Sequence, residues 1–337
     1  MDIAVTALDP ADDAAVERAY EIQAEVWAAE QPDVPLCRRR FVGGIRHPMP
    51  NTEQRQALAY LDGTPAGFLQ LRLPQRQNRE NASITLTVRP ACRRRGVGRA
   101  LHEYMVRQLR GLGRKRILAE TVTRDPAGAA GGAGAAFAAA MGAQAALTDI
   151  RRRLDLTRLD EPELDRLLAA SRGRAEGYSV VTWQGPTPEE YLADVAYLDS
   201  RLASDAPLGD ITWDPPAPDT ERIRGEEAAL ARWGTRWYSC GARHDATGRL
   251  VALTTISRSE SHDWHAFQQI TLVEPGHRGH RLGTIIKIEN LRYVMAHEPG
   301  LRVIDTYNAR SNSYMISINE AIGFRAVAGL TSWQATL

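Results

Sequence analysis

Two stretches of the chain share a basic, glycine-containing pattern that is suited to holding phosphate. The first runs from Val88 to Gly98 and the second from Val273 to Gly283, so equivalent residues lie 185 positions apart. In each stretch a proline, an arginine and a closing glycine stand at the same places after the valine. Glycine lets the backbone approach an anion closely, and the free N–H groups of a helix start attract one. The repeat therefore predicts a tandem duplication whose ancestor bound a phosphorylated ligand.

Each stretch lies where a strand passes into a helix. The alternating, β-branched run from Ile84 to Val88 predicts a strand that Pro90 ends. Apolar residues then recur at helical spacing from Ala100 to Leu112. In the second copy, residues 267–273 predict the strand and residues 282–295 predict the helix. Both loops are thus expected to present their amides at the first turn of a helix.

The first copy resembles the signature of the GNAT acyltransferase superfamily. That signature is Arg or Gln, two variable residues, Gly, one variable residue, and Gly or Ala, and Arg93, Gly96 and Gly98 match it. The resemblance implies that the loop amides bind the pyrophosphate of an acyl-coenzyme A. It also implies that the strand before the loop splays from its neighbour and bonds the pantetheine arm. The acceptor amine would attack the thioester directly, without an acyl-enzyme.

The fold class expected from this resemblance is α+β, of mixed α/β character. Two tandem GNAT domains are expected, similar in arrangement to mycothiol synthase, each with a mixed, mostly antiparallel sheet flanked by helices. The repeat places the first domain at residues 1–155 and the second at residues 178–337. The charged helical pattern between them predicts a linker over residues 156–177.

The resemblance implies cofactor-binding residues in both halves, with acetyl-CoA or another acyl-CoA as the co-substrate. In the first half these are Leu86, Thr87, Val88, Arg93, Arg94, Arg95, Gly96, Val97, Gly98, Arg99 and Ala100. In the second half they are Val273, Arg278, Gly279, His280, Arg281, Gly283 and Asn312.

The two copies have diverged after the loop. In the superfamily a later helix carries Asn, then Tyr seven residues on, then Gly-Phe four residues after that, and the tyrosine protonates the departing thiolate. Counting back from Gly323 places Asn312 at the asparagine and Asn319 at the tyrosine, whereas the first half has Gly131 and Ala138 there. Neither half keeps the acid, although a thiolate with a conjugate-acid pKa near ~8.5 can leave unaided.

Candidate catalytic residues are therefore few. Asn319 occupies the position of the acid, and Glu25 and Glu120 are candidate general bases that could act through a water. The alternative for each glutamate is an ordinary solvated or capping carboxylate.

The second loop has Arg281 where the signature has its first glycine. Its side chain could block the helix start, or it could contact phosphate directly. We favour blockage and hence acyl-CoA binding in the first half. The resemblance to mycothiol synthase points the other way, because its C-terminal half is the catalytic one.

Two other interpretations of the first loop remain open. A dinucleotide site is mimicked by Gly96, Gly98 and a later Glu120, but the third glycine position holds Leu101 and the turn carries Pro90. A solvated basic turn is the second alternative, and it does not explain why the pattern recurs.

The composition is typical of a soluble enzyme. The net charge is +1, which gives no reason to expect a nucleic-acid or membrane partner. The three cysteines are scattered and predict neither disulfides nor a metal site. No leader or membrane-length apolar run is found, so we expect a cytoplasmic protein, a monomer or a homodimer, without a metal.

The expected activity is transfer of an acetyl group from acetyl-CoA to a primary amine of a small molecule, in a ternary complex. Residues 31–51 and the acidic loop of residues 205–219 would frame the acceptor. The acidity of the loop favours a cationic amine, and ordinary solvated loop charge is an equal explanation. The alternative is a catalytically degenerate acyl-CoA-binding sensor or structural protein, because both tyrosines are absent.

Overall fold

A computed structural model describes residues 2–337, with the backbone alone for residue 203. The chain divides into two compact units. The first unit comprises residues 1–149, 208–214 and 328–337, and the second comprises residues 150–207 and 215–327.

The repeat is visible in the order of the elements. The first part of the chain forms β1 (Ile3–Ala7), α1 (Asp13–Glu30), α2 (Arg38–Arg46), β2 (Thr52–Leu61), β3 (Thr64–Pro74), β4 (Asn81–Val88), α3 (Val97–Gly111), β5 (Arg116–Thr123), α4 (Gly132–Ala140) and β6 (Gln144–Asp155). The second part forms α5 (Glu161–Arg172), β7 (Tyr178–Gln184), α6 (Leu192–Asp205), α7 (Thr220–Arg232), β8 (Thr235–His244), β9 (Leu250–Ser259), β10 (His265–Val273), α8 (Leu282–His297), β11 (Val303–Ala309), α9 (Ser313–Ile322) and β12 (Arg325–Thr336).

Both units contain a mixed sheet. The first has the order β1-β2-β3-β4-β5-β12, in which β4 and β5 are parallel and the other neighbours are antiparallel. The second has the order β6-β11-β10-β9-β8-β7, in which β10 and β11 are parallel and β7 to β10 are antiparallel. The predicted mixed α/β class is confirmed.

Alternating side chains give each face of the first sheet its own core. Leu71 on β3 packs in the cluster that contains Met105 of α3. Phe68, on the other face of β3, packs with Ile22 of α1. Because successive strand residues point to opposite faces, the face of Phe68 also carries Gln70 and Arg72.

The expected linker is part of the second unit. Its helix α5 buries Leu164 and Leu168 in the cluster that contains Ile286 and Ile288 of α8. A helix with an apolar stripe of this kind is held by its packing, so α5 is an integral element of that unit.

The units also differ from the expected domains by exchanged segments. The last ten residues belong to the first unit, where β12 pairs with β5 and Trp333 Nε1 donates to Thr121 Oγ1 at 2.8 Å. Residues 208–214 join them there, with the Asp210 amide donating to the Ala146 carbonyl at 2.9 Å. In return, the end of β6 from Ile150 belongs to the second unit.

Across residues 2–337, none of the helices has the length and apolar character needed to cross a membrane.

Candidate functional site

The first loop presents an open helix start. β4 ends at Val88, a short turn over Pro90–Cys92 follows, and α3 begins at Val97 after Gly96. No side chain caps this helix, and no acidic residue stands in its first turn. Its first N–H groups are therefore free to bind an anion, as the sequence predicted.

The signature arginine has a supporting role that the sequence did not indicate. Arg93 Nε donates to the Val88 carbonyl at 3.2 Å, and its Nη2 donates to Glu30 Oε1 at 2.7 Å. The guanidinium thus ties the loop to the end of β4 and to α1. The Arg93 amide also donates to the Pro90 carbonyl at 3.3 Å, so positive charge around a phosphate is left to the exposed Arg94, Arg95 and Arg99.

The strands beside the loop separate, as the resemblance implied. The parallel ladder of β4 and β5 joins Asn81–Ser83 to Arg116–Leu118 and goes no further. Leu86, Thr87 and Val88 keep their antiparallel pairing with β3 on the other side. Their free edge therefore opens on a gap that leads to the helix start, where a pantetheine arm could bond to it.

The second loop repeats this geometry. Arg278 Nε donates to the Val273 carbonyl at 3.3 Å, and its Nη2 donates to Asp205 Oδ2 at 3.0 Å. His280, a predicted phosphate contact, instead lies with Nδ1 3.1 Å from the Arg174 carbonyl. The start of α8 is also without a side-chain cap.

Each loop has one glycine and one arginine in the left-handed backbone region, and their order is reversed between the two loops. In the first, Arg94 has φ 61° and Gly96 has φ 89°, and in the second, Gly279 has φ 90° and Arg281 has φ 57°. Arg281 therefore adopts the backbone conformation that glycine supplies in the first loop. A Cβ at Gly96 would point to Ile3 Cδ1, 3.1 Å away. The replacement has not altered the fold of the loop, and the blockage by Arg281 stays a prediction.

The gap between the strands differs in the second unit. β10 and β11 pair only from His265–Phe267 to Val303–Asp305, and β10 then contains a bulge between Gln268 and Thr271. Thr306 Oγ1 donates to the Gln268 carbonyl at 3.2 Å. The first carbonyl beyond the ladder is therefore already bonded within the protein.

The helices that would carry the acid are present in both units, at the predicted places. α4 contains Ala138 and begins after Gly131, which has no side chain to cap it. Asn312 caps α9, since its Oδ1 accepts from the Met315 amide at 3.2 Å. Asn319 is completely buried, and its Nδ2 donates to Asn308 Oδ1 at 2.6 Å. A buried carboxamide has no titratable proton, so Asn319 is not placed to serve as the acid.

Glu120 lies on β5 just beyond the end of its ladder with β4, on the face of the first sheet that carries Phe68. We call this opening between the two strands, with the polar side chains beside it, the cleft. It is exposed to solvent, yet burial among the surrounding groups raises the pKa of its carboxyl. Asp149 is half-buried, and burial together with the charge of Glu120 raises its pKa to about 6. Both carboxyl groups thus keep contact with solvent while neighbouring atoms oppose their ionisation. Glu120 therefore has the accessibility and the basicity of a proton acceptor.

Neutral amides extend this cleft along β2 and β3. Arg72 Nη2 donates to Gln70 Oε1 at 2.8 Å and to Thr85 Oγ1 at 3.3 Å. Gln70 Nε2 donates in turn to Gln54 Oε1 at 3.0 Å. Sequence reasoning missed Arg72 and Asp149, because a polar residue within a strand is equally typical of a solvated face.

The other candidate base is already paired. Glu25 Oε2 accepts from Arg89 Nη1 at 2.7 Å. This contact joins α1 to the residue that follows β4. Of the two alternatives for Glu25, it favours an ordinary carboxylate with a structural contact over a general base.

In the second unit, the carboxylate on the strand after the loop helix has several hydrogen-bond partners within the protein. Asp305 on β11 is completely buried and accepts from Arg151 Nη1 at 3.0 Å and from Arg153 Nε and Nη2 at 2.7 Å. His265 Nε2 lies 3.0 Å from the same carboxylate. Although burial opposes ionisation, these partners lower the pKa of Asp305 to about 2. Asp305 is thus a fixed anion of the core, unable to accept a proton from a substrate near neutral pH.

Acidic residues of the loop of residues 205–219 form contacts within the protein. Asp205 accepts from Arg201 and Arg278, and Asp219 caps α7. Asp214 is joined to Asn78 by its backbone, with two hydrogen bonds of 2.8 and 2.9 Å. These contacts explain the acidic residues of the loop, so the loop gives less support to a cationic acceptor. Within residues 2–337, no three His, Cys, Asp or Glu side chains are grouped so as to hold a metal.

Comparisons with known proteins agree with this geometry. A family model described as "Acetyltransferase (GNAT) family" matches residues 15–130. A tandem GNAT protein from the clavulanic acid biosynthesis pathway, solved without acetyl-CoA, is 34% identical, with a TM-score of 0.84 over 99% of this chain and 98% of that one. This chain belongs to the GNAT acetyltransferase family. It is of the tandem type, and the family uses acyl-CoA to transfer acyl groups.

More distant solved structures share the fold. A GCN5-related N-acetyltransferase from Sphaerobacter thermophilus is 13% identical, with a TM-score of 0.65 over 99% of this GNAT chain and 95% of that chain. One from Kribbella flavida is 12% identical, with a TM-score of 0.52 over 100% of this chain and 71% of that chain. No curated protein matches the sequence.

Proposed function

We propose that this GNAT protein transfers an acetyl group from acetyl-CoA to a primary amine of a small molecule, and that the first unit carries the reaction. The observation that supports this most is the contrast between the exposed Glu120, whose carboxyl pKa is raised, and the buried, arginine-bound Asp305. Each lies on the strand that follows the loop helix.

The residues of the first unit fit the co-substrate. The uncapped start of α3 and the basic loop would hold the pyrophosphate, and the free edge of Leu86 to Val88 would hold the pantetheine arm. Acetyl-CoA supplies the activated acetyl group, which the acceptor amine attacks directly in a ternary complex.

Glu120 prepares the acceptor. An ammonium group has no lone pair, so one proton must leave before attack, and Glu120 takes it directly or through a water. A raised pKa of the Glu120 carboxyl lies closer to neutral pH, which lowers the free-energy cost of proton transfer from the ammonium group. The thiolate leaves without an acid, which is consistent with Ala138 in α4.

Calorimetric titration with acetyl-CoA tests the location. We expect one site per chain, lost in Gly98→Asp and kept in Gly283→Asp, because each aspartate places negative charge at the second residue of a loop helix. Gly98→Ala is the steric control, since a Cβ there would come 3.2 Å from Phe137 Cε2. The reverse pattern would assign binding to the second unit. If the unaltered protein did not bind acetyl-CoA, the proposal would be refuted.

A sensor that binds acyl-CoA without transfer is the second candidate, favoured by Ala138 and Asn319 at the positions of the acid. Release of CoA in the presence of a panel of amines separates the two. Tight binding without any acceptor-stimulated release would favour the sensor.

A further inference from the structure

The cleft of the first unit contains a guanidinium that has only neutral hydrogen-bond partners. Arg72 donates to the side chains of Gln70 and Thr85, and no carboxylate lies within salt-bridge distance of it among residues 2–337. Two other arginines of the same sheet have acidic partners, Arg55 in Glu53 at 2.7 Å and Arg116 in Glu80 at 3.3 Å. Arg72 is therefore a cation whose charge is not matched by a contact.

The surroundings of Arg72 make this charge costly. The side chain is exposed, yet burial by the cleft walls lowers the pKa of the guanidinium. A charge that is partly removed from water and left without a counter-ion is unfavourable. An anionic group of a ligand would offset that cost, and a planar guanidinium binds a carboxylate through two parallel hydrogen bonds.

Glu120 does not serve as the missing counter-ion. If Arg72 formed an ion pair with it, the carboxyl pKa would fall, as it does for Asp305 between its arginines. The pKa of Glu120 is instead raised, because desolvation outweighs the attraction of Arg72. The two groups are near enough to interact and are not in contact.

Strand register fixes their relative places. Arg72 stands opposite Ser83, and Ser83 stands opposite Leu118, so the three share one face of the sheet. Glu120 lies two residues beyond Leu118, on that same face. With strands about 4.8 Å apart, the backbones of Arg72 and Glu120 are separated by roughly 10 Å or more, and their long side chains bridge part of that distance. A small molecule with two charged ends fits this spacing.

Helix α2 covers part of this face. Phe41 of α2 packs on Phe68 with ring centroids 5.6 Å apart, which places α2 above the face that carries Arg72. Arg72 thus provides positive charge at one part of the face, and Glu120 and Asp149 provide carboxylates at another.

We propose that the acceptor carries a carboxylate as well as its amine, and that Arg72 binds this carboxylate while Glu120 faces the amine. The substrate class is therefore that of amino acids and related zwitterionic amines. This inference rests on the proposed function of the first unit.

Matched pairs of amines provide the test: amino acids and the amines formed from them by removal of the carboxylate, such as phenylalanine with phenethylamine and lysine with cadaverine. Equilibrium binding is measured on protein saturated with CoA, so that it does not depend on turnover. We expect at least tenfold tighter binding of the carboxylate-bearing member in the unaltered protein. Equal binding of both members, or binding of neither, would overturn the proposal.

Three variants locate the carboxylate. Arg72→Gln removes the charge and is expected to abolish the preference, mainly by raising KM, with little effect on the decarboxylated amines. Arg72→Lys keeps the charge and should retain part of the preference. Arg55→Gln is the matched control, because Arg55 bonds to Gln108 of α3 and so lies on the opposite face. A preference that survives Arg72→Gln, or that is lost equally in Arg55→Gln, would contradict the assignment.

The turnover assay separates this inference from the proposed function. Selective binding of the amino acids without acetylation would support the carboxylate site and refute the transfer. Acetylation of decarboxylated amines as efficiently as their partners would support the transfer and refute the carboxylate site.

Discussion

The two units hold a carboxylate on the strand that follows the loop helix, and they treat it in opposite ways. Glu120 faces an open cleft, and its pKa is raised. Asp305 is enclosed by Arg151, Arg153 and His265, and its pKa is lowered. Both loops are well formed, so the loops alone do not show which unit carries the proposed reaction. What differs is whether the charge is left available to a substrate or is used to hold strands together.

Asp305→Asn gives the largest expected effect on this comparison. The variant removes the anion shared by the buried Arg151 and the half-buried Arg153, and breaking a buried ion pair typically costs roughly 3–5 kcal/mol of the free energy of unfolding. Urea denaturation followed by tryptophan fluorescence measures it. Glu120→Gln is the control, and its unfolding free energy is expected to stay the same or rise slightly, because the ionised carboxyl is already disfavoured there. Similar losses in both variants would mean that the two carboxylates are equivalent.

Glu120→Gln should instead reduce catalysis. Loss of a general base typically lowers the rate 10²–10⁴-fold, and we expect about 100-fold or more in kcat with acetyl-CoA binding unchanged. Stopped acetylation assays and calorimetry on the same preparation provide the two measurements. If Asp305→Asn lost activity to the same degree while still folded, the catalytic half would have been misassigned.

Acid should affect the units through different groups. The pKa of Asp305 is about 2 in the folded protein and about 3.9 when unfolded, so its ionised form adds about 2 kcal/mol that is fully present above pH 4–5. That contribution is lost as the pH falls through 4 towards 2. Denaturation curves between pH 7 and pH 3 should show the loss in the unaltered protein and not in Asp305→Asn.

Activity should fall at a higher pH than stability does. Burial raises the pKa of Glu120, and burial together with the charge of Glu120 raises the pKa of Asp149 to about 6. We expect the acid limb of kcat/KM to lie above the usual range of a carboxyl group, and its position should change in Asp149→Asn because Asp149 interacts with Glu120. A limb that does not move in this variant would show that the base lies elsewhere.

The smallest expected effect concerns the exchanged glycines. A residue other than glycine in the left-handed region costs roughly 1 kcal/mol, so Arg281→Gly should raise the unfolding free energy by up to that amount. Gly96→Ala should lower it by as much or more, since the new Cβ would also approach Ile3. Thermal denaturation resolves both changes. Acetyl-CoA binding gained by Arg281→Gly would confirm that this side chain blocks the second loop.

Much of the local structure could be predicted from the sequence, because local patterns determine it. The β-branched run before Pro90, the apolar spacing after Gly98 and the 185-residue repeat placed β4, the loop and α3, together with their second copies. The repeat loses its phase later, since β11 begins 187 residues after β5. Helix α8 is one residue longer than α3 and its connection to β11 is one residue longer, which accounts for this shift, and neither leaves a clear mark on the sequence.

Long-range features could not be predicted in the same way. An alternating strand such as β12 has the same pattern whichever sheet accepts it, so its place beside β5 was hidden. The roles of Arg72 and Asp149 depend on which polar groups a fold brings together and how much water it leaves around them. Asp305 was likewise unremarkable until Arg151 and Arg153 were seen beside it.

The exchange of strands affects how such a protein can be made and can evolve. The sheet of the first unit is complete only with residues 328–337, because β12 pairs with β5. A gene split near residue 155 would therefore yield two products that each lack a strand. The duplicated halves depend on each other for complete sheets, so neither could be lost without disturbing the fold of the other.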